Sequence, residues 1–469
     1  MGKILAHYIM PHPPIIIDEV GKGEEKKAIE TVNACYSIGD EINKLKPKTI
    51  IIITPHGPLF SDALAISASP NIKGDLASFG APNIKFNINI NTELTESIRK
   101  KSIEENVILV PVDDNSSRQY GISTELDHGS MVPLYFINKK YNNYNLVHIT
   151  YGLLSKIQLY KFGMIINEVV KQSEEDAVVI SSGDLSHRLN DESPYGFNEN
   201  GEKFDKEIVD LLKAGDTLGI FNISKNLIKG AGECGLRSFY VLLGIMDGYE
   251  IKGSLLSYEG PFGIGYGVMK FDTKEDKDRR LFNNIIEIRQ KEIQRIRECE
   301  DVYAKLARSS LENYVKTGEY ISVPLVHEKM LTDRHGVFVS IKKEGELRGC
   351  IGTIFPSTDC IAREIIKNAV DAGMRDPRFS PVEEEELQDL EYSIDILMTP
   401  TKASKEELDT KKYGIVVKNG SRSGVLLPDL EGVDTVEEQL AIALEKADID
   451  ANESYTIEKF EVIRRGSKC

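Results

Sequence analysis

The chain has 469 residues, of which 41% are hydrophobic and 28% charged. That is the profile of a globular protein and excludes a collagen-like, low-complexity or mostly disordered chain. With 58 basic against 74 acidic residues the net charge is −16, which argues against a dedicated binder of nucleic acid or of anionic membranes.

No apolar run approaches the ~18 residues that a membrane-spanning helix needs. The opening segment MGKILAHYIMPHPP reads as a first strand rather than a signal peptide. The six cysteines include no CxxC pair. That predicts no disulfide scaffold and a reducing, cytoplasmic home.

Predicted elements alternate through the N-terminal part. Ile4–Met10, Thr49–Thr54, Leu146–Thr150, Ala177–Ser181 and Leu255–Tyr258 are short runs rich in Ile, Val or Leu and read as strands. Helical patterns cover Glu24–Leu45, Gln158–Gln172, Glu202–Leu212 and Leu227–Met246. This alternation predicts an α/β domain over residues 1–271 with a central, largely parallel or mixed sheet. Residues 272–300 mix charges of both signs with Ile285, Ile286, Ile288, Ile293 and Ile296, predicting a charged connecting helix. From Asp301 the pattern changes. Helices at Asp301–Val315 and Cys360–Ala372, with strands at Gly336–Lys342, Glu391–Met398 and Gly414–Lys418, predict an α+β domain over 301–469.

Two segments echo each other. Met10-Pro11-His12-Pro13-Pro14 and Thr54-Pro55-His56-Gly57-Pro58 each follow an apolar strand. The prolines end the strands and hold the chain extended. His12 and His56 are thereby set just past strand C-termini, where open α/β sheets bind ligands. Two imidazoles and a carboxylate would form a facial metal site with open positions. Ser181-Ser182-Gly183-Asp184-Leu185-Ser186-His187 follows another strand and brings His187 to the same edge. Leu126-Asp127-His128-Gly129 opens an apolar, helix-like run, and Gly232-Glu233-Cys234-Gly235 lies in a helical stretch. His7 and His148 fall inside strands, as core or supporting residues. The Ser–His pair of GDLSH lacks the GxSxG elbow of a hydrolase.

PHPP, TPHG, LDHG, GDLSH and GECG, in this order, resemble the class III extradiol ring-cleavage dioxygenases, the family of protocatechuate 4,5-dioxygenase β subunits. The Memo proteins share that fold. The resemblance implies Fe(II) on His12, His56 and Glu233, His187 as catalytic acid/base, His128 touching substrate or oxygen, and Asp184 close to His187. Memo proteins carry a cysteine near the third ligand. Here Glu233 is favoured; Cys234 in its place would give a softer site suited to copper, zinc or thiol redox chemistry. Donor type alone also leaves manganese open.

In the second half, LARSSLENYV, GVFVSIKKEGELRGCIGTI, DPRFSPV, SIDIL and RSGVLLP resemble the AMMECR domain. Arg348 is a candidate anion-binding group and Cys350 a candidate nucleophile or redox thiol; a tight turn with a buried cysteine is the alternative. The pair of domains resembles the AmmeMemoRadiSam system, which implies a radical SAM protein as partner. The expected function is O₂-dependent, Fe(II)-dependent ring cleavage of a catechol-like small molecule. The alternatives are a metal-bound redox or modification factor serving a radical SAM enzyme, and a non-catalytic metal-binding scaffold. Homo-oligomerisation is open.

Overall fold

The computed structural model describes residues 1–325, 327–343, 345–430 and 432–467. Two compact units divide the chain, Met1–Glu287 and Ile288–Cys469. In the first, the strands are β1 (Ile4–Met10), β2 (Thr49–Thr54), β3 (Leu64–Ser67), β4 (Asn71–Leu76), β5 (Ala81–Asn89), β6 (Leu109–Val112), β7 (Asn145–Thr150), β8 (Ala177–Ser182), β9 (Tyr249–Glu259) and β10 (Tyr266–Glu275). Eight of them form one mixed sheet, ordered β6-β3-β7-β2-β8-β1-β10-β9, with β4 and β5 as a separate hairpin.

The centre of the sheet, β7-β2-β8-β1, is parallel. Helices cover both of its faces, so these strands are buried almost throughout. That is why they read as unbroken apolar runs rather than as alternating ones. One core lies on each face. Ile51, Ile53, Val147, Val179 and Phe239 are in the first; Ile50, Ile52, Val178, Ile180 and Phe136 are in the second. Because β1, β2 and β8 run the same way, their C-terminal ends meet at one edge.

Two predicted helices differ. The stretch Leu227–Met246 is two helices, Lys225–Ala231 and Leu236–Ile245. Gly232 takes a left-handed conformation, φ 63°, and ends the first, a position that favours glycine. GECG is therefore a loop. The predicted helix 272–300 is shorter, Phe282–Glu298, because β10 continues through Glu275 against Tyr249–Lys252. The boundary between the units falls within this helix.

The second unit is α+β. Strands β11 (Gly336–Lys343), β12 (Glu346–Gly352), β13 (Leu390–Leu397), β14 (Thr401–Lys402), β15 (Gly414–Asn419), β16 (Arg422–Leu426), β17 (Thr456–Phe460) and β18 (Val462–Arg465) form two sheets, β12-β11-β13-β18 and β14-β17-β15-β16. Helices Val302–Thr317 and Ile361–Met374 supply Leu306, Leu311, Ile365 and Ala369 to the core of the first sheet. Cys35, Cys234, Cys350 and Cys360 are free thiols, and Cys299 is disulfide-bonded. Among the described residues no helix is long and apolar enough to cross a membrane.

Candidate metal centre

Past β1 and β2 the prolines turn the chain out of the sheet and set His12 and His56 side by side. Their Nε2 atoms are 3.0 Å apart, and the rings meet edge to face at 4.7 Å. His128 opens the helix His128–Asn138 and stacks on His56 at 4.2 Å between ring centroids. One nitrogen from each of the three lies within 4.8 Å of the others.

The hydrogen bonds fix which nitrogen His12 presents. The hydroxyl of Ser182, the last residue of β8, donates to Gly129 O at 2.5 Å. It therefore accepts from His12 Nδ1, 3.0 Å away. With Nδ1 carrying the proton, Nε2 faces His56 as a bare lone pair, the form a metal requires. The two serines that close the apolar strand β8 are the sequence signal for this arrangement.

GDLSH and GECG come together because both contain glycine. A Cβ on Gly183 would stand 2.2 Å from Gly235 Cα, so only glycine permits this backbone contact. Asp184 Oδ1 then accepts His12 N–H at 2.9 Å, and its Oδ2 lies 3.7 Å from His12 Nε2. Cys234 Sγ lies 3.6 Å from the same nitrogen. His12, Asp184 and Cys234 make a second group within 4.8 Å.

Glu233, favoured by the sequence reading as third ligand, belongs to neither group. Its Oε2 accepts Leu236 N–H at 2.6 Å, capping the first turn of the helix that follows. The expectation placed Glu233 and Cys234 on a helix; in the actual loop Glu233 is spent on the cap and the thiol turns to His12.

Burial sets the charge states. It pulls His12 and His56 down to about 3 and lowers His128 and His187, so all four are neutral imidazoles near pH 7. Burial pushes Asp184 up to about 6 and Glu233 up to about 7. The Cys234 thiol is raised by burial and by Asp184, so a thiolate there calls for a cation.

His187 is held by a laced loop. Its N–H donates to Ala231 O at 3.0 Å, and Ser193 Oγ donates to its carbonyl. Its Nε2 is buried without a partner. Asp205, fully buried, anchors the same loop by accepting Ser186 N–H and Tyr258 O–H, each at 2.7 Å. Burial raises its carboxyl from 3.8 to about 7. The folded chain thus keeps a proton between those values that the unfolded chain has lost, so stability falls as pH rises through that window. Asp205→Asn is expected to make the fall in stability of the metal-free protein between pH 4 and 7 shallower by roughly 3 kcal/mol, read by urea unfolding. An unchanged slope refutes the assignment. Asp184 and Glu233 contribute slopes of the same sign.

Two exposed aromatic rings, which no motif marks, flank the histidines. Phe79 lies 5.4 Å from His128 and Tyr195 stacks on His187 at 5.3 Å.

In the second unit LRGCIG lies on β12. The guanidinium of Arg348 is committed: it donates to both Glu386 oxygens, at 3.1 and 2.8 Å, and to Ser380 O at 2.9 Å. Cys350 N–H donates to Asp376, and its thiol accepts from Ser340 Oγ at 3.2 Å. These contacts tie β12 to the loop before β13 and give Arg348 a structural task.

The sequence profile described as the catalytic LigB subunit of aromatic ring-opening dioxygenase matches residues 6–269, more than half of the chain. The chain belongs to the LigB family. The AMMECR1 profile matches residues 304–464, so a LigB-type domain is followed by an AMMECR1 domain. A Clostridium acetobutylicum protein, CA_C1420, is 51% identical over 97% of this chain and 98% of its own. A Thermotoga maritima protein is 47% identical over 35% of this chain and 97% of its own. The crystal structure of the uncharacterized protein PH0010 from Pyrococcus horikoshii covers 36% of this chain and 90% of its own at 30% identity, with a TM-score of 0.33.

Proposed function

We propose that the LigB domain is a metal-dependent oxidoreductase domain acting on a small molecule, with its ion held by His12, His56 and Cys234. The observation that carries this reading is the approach of Cys234 Sγ to His12 Nε2 at 3.6 Å while Glu233 caps a helix. His12 Nε2 is bare and common to the His12–His56–His128 and His12–Asp184–Cys234 groups; it links the neutral His56 to the thiol, which becomes a good donor once a cation offsets its charge. Two imidazoles and a thiolate suit iron, copper or zinc.

A metal bound there supplies a Lewis acid and, if redox-active, an electron reservoir. The chain's own groups do the rest. His187, neutral and with Nε2 unpartnered, is the proton acceptor in this reading. Asp184 stabilises the imidazolium that results, since its charge acts on His187. His128, stacked on His56, donates to oxygen on the substrate. Opening of an aromatic ring by O₂ is the form of this reading with iron in the site, and membership of the LigB family supports it.

Metal analysis after anaerobic purification tests the proposal. About one ion per chain is expected in the native protein and in Glu233→Ala, and little in Cys234→Ala. A metal-free native protein, or loss with Glu233 instead, refutes it.

A further inference from the structure

Beneath His56 and His128 lies a carboxylate to which the ligand set gives no task. Asp127 sits at the N-terminus of the helix that begins with His128, with its side chain only 7% exposed. It accepts four hydrogen bonds. Thr54 Oγ1 donates to Oδ1 at 2.5 Å and Ser130 N–H donates to the same oxygen at 3.2 Å. His148 Nε2 and Ser130 Oγ meet Oδ2 at 2.9 and 3.1 Å. Behind it, Ser67 Oγ lies 2.8 Å from His148 Nδ1, and His148 is 2% exposed.

The proton order along this chain is consistent from end to end. A carboxylate oxygen only accepts, so His148 Nε2 carries the proton that it gives to Asp127, and Ser67 Oγ stands against the other ring nitrogen, Nδ1. On the other oxygen, Thr54 donates to Asp127 and so keeps a lone pair, which accepts His56 N–H at 3.3 Å. One carboxylate thus ties the end of β2, which carries His56, to the helix start, which carries His128, and ties both to β7. Gly129 permits the approach: a Cβ there would stand 2.4 Å from Thr54 Oγ1 and 2.8 Å from Asp127 Oδ1. Burial alone would raise the carboxyl, but His148 and Thr54 hold it well below the usual carboxylate range. Its negative charge acts on His12 and His56.

We infer that Asp127, backed by His148, is the positioning residue of this centre: it sets the approach of His56 and His128 and supplies the buried negative charge that a cation among the histidines requires. The inference rests on the metal-centre reading above. A helix cap alone needs Asp127 to accept from Ser130 and needs neither the His148 bond nor the Thr54 bond. Partners that orient metal-binding groups affect affinity by about 10–100-fold when lost.

The test is Zn(II) affinity of the metal-stripped full chain, by competition with a chromophoric chelator, beside the melting temperature of each variant. In Asp127→Asn the amide puts a donor against the Thr54 and Ser130 donors or against His148, whichever way it turns. About a 10–100-fold loss of affinity is expected. His148→Leu is expected to fall in the same range. His148→Gln keeps a donor for Asp127 and is expected to stay within about threefold of the native protein. A purely structural role predicts lower melting temperatures with unchanged Zn(II) affinity in all three, and that outcome overturns the inference. Failure of the native protein to bind Zn(II) overturns the metal-centre reading and this inference with it. Binding by the native protein with equal binding by Asp127→Asn overturns this inference alone.

Discussion

Alanine in place of Cys234 is expected to lower metal affinity by about 100-fold. Structural zinc sites with four ligands gain about 10–16 kcal/mol, so one ligand carries roughly 3 kcal/mol, or about two decades. Glu233→Ala removes a helix cap instead. It is expected to cost about 1 kcal/mol of stability and to leave metal affinity unchanged. The pH dependence separates the two residues further. Burial and the Asp184 charge hold the Cys234 thiol protonated, so a metal must displace that proton. Native affinity is expected to rise about tenfold per pH unit from this residue, and Cys234→Ala is expected to lose that part of the slope. Chelator competition across pH 6 to 8 reads both quantities. If Cys234→Ala keeps the native affinity and slope, the thiol is not a ligand.

Alanine at Gly183 is expected to impair folding strongly. Its Cβ would lie 2.2 Å from Gly235 Cα, backbone against backbone, with no flexible side chain to yield. Both loops must separate. Overpacking of a well-filled core costs about 1–3 kcal/mol, and here the displaced group is backbone, so at least the top of that range is expected. The same separation carries Asp184 away from Cys234, since these residues flank the contact. Urea unfolding is expected to show a loss of about 3 kcal/mol or more, and Zn(II) affinity is expected to drop in the fraction that still folds. Native stability in Gly183→Ala would show that the two loops need not touch.

Much of the chain was legible in the order of its residues. The central strands were visible because burial on both faces leaves only apolar positions. The histidine-bearing turns were visible because proline stops a strand wherever it falls, and a parallel sheet gathers such turns at one edge. The motifs also carried the family and the division into a LigB domain and an AMMECR1 domain. Strands β3 and β6 and the β4–β5 hairpin were not legible. Their short, mixed sequences have no periodicity of their own and acquire it from pairing.

The gathering of His12 and His56 at the sheet edge was legible along the chain, since proline position is a local property and strand–helix alternation implies parallel strands. That Cys234 rather than Glu233 turns to His12 became visible only in the fold, because this contact depends on Gly232 ending a helix and on Gly183 meeting Gly235 across 52 residues of chain. The bonds of Arg348 to Glu386 and the place of Asp127 and His148 beneath the histidines likewise came from the fold. Buried polar groups find their partners across the fold, and the spacing of residues along one chain does not encode that pairing.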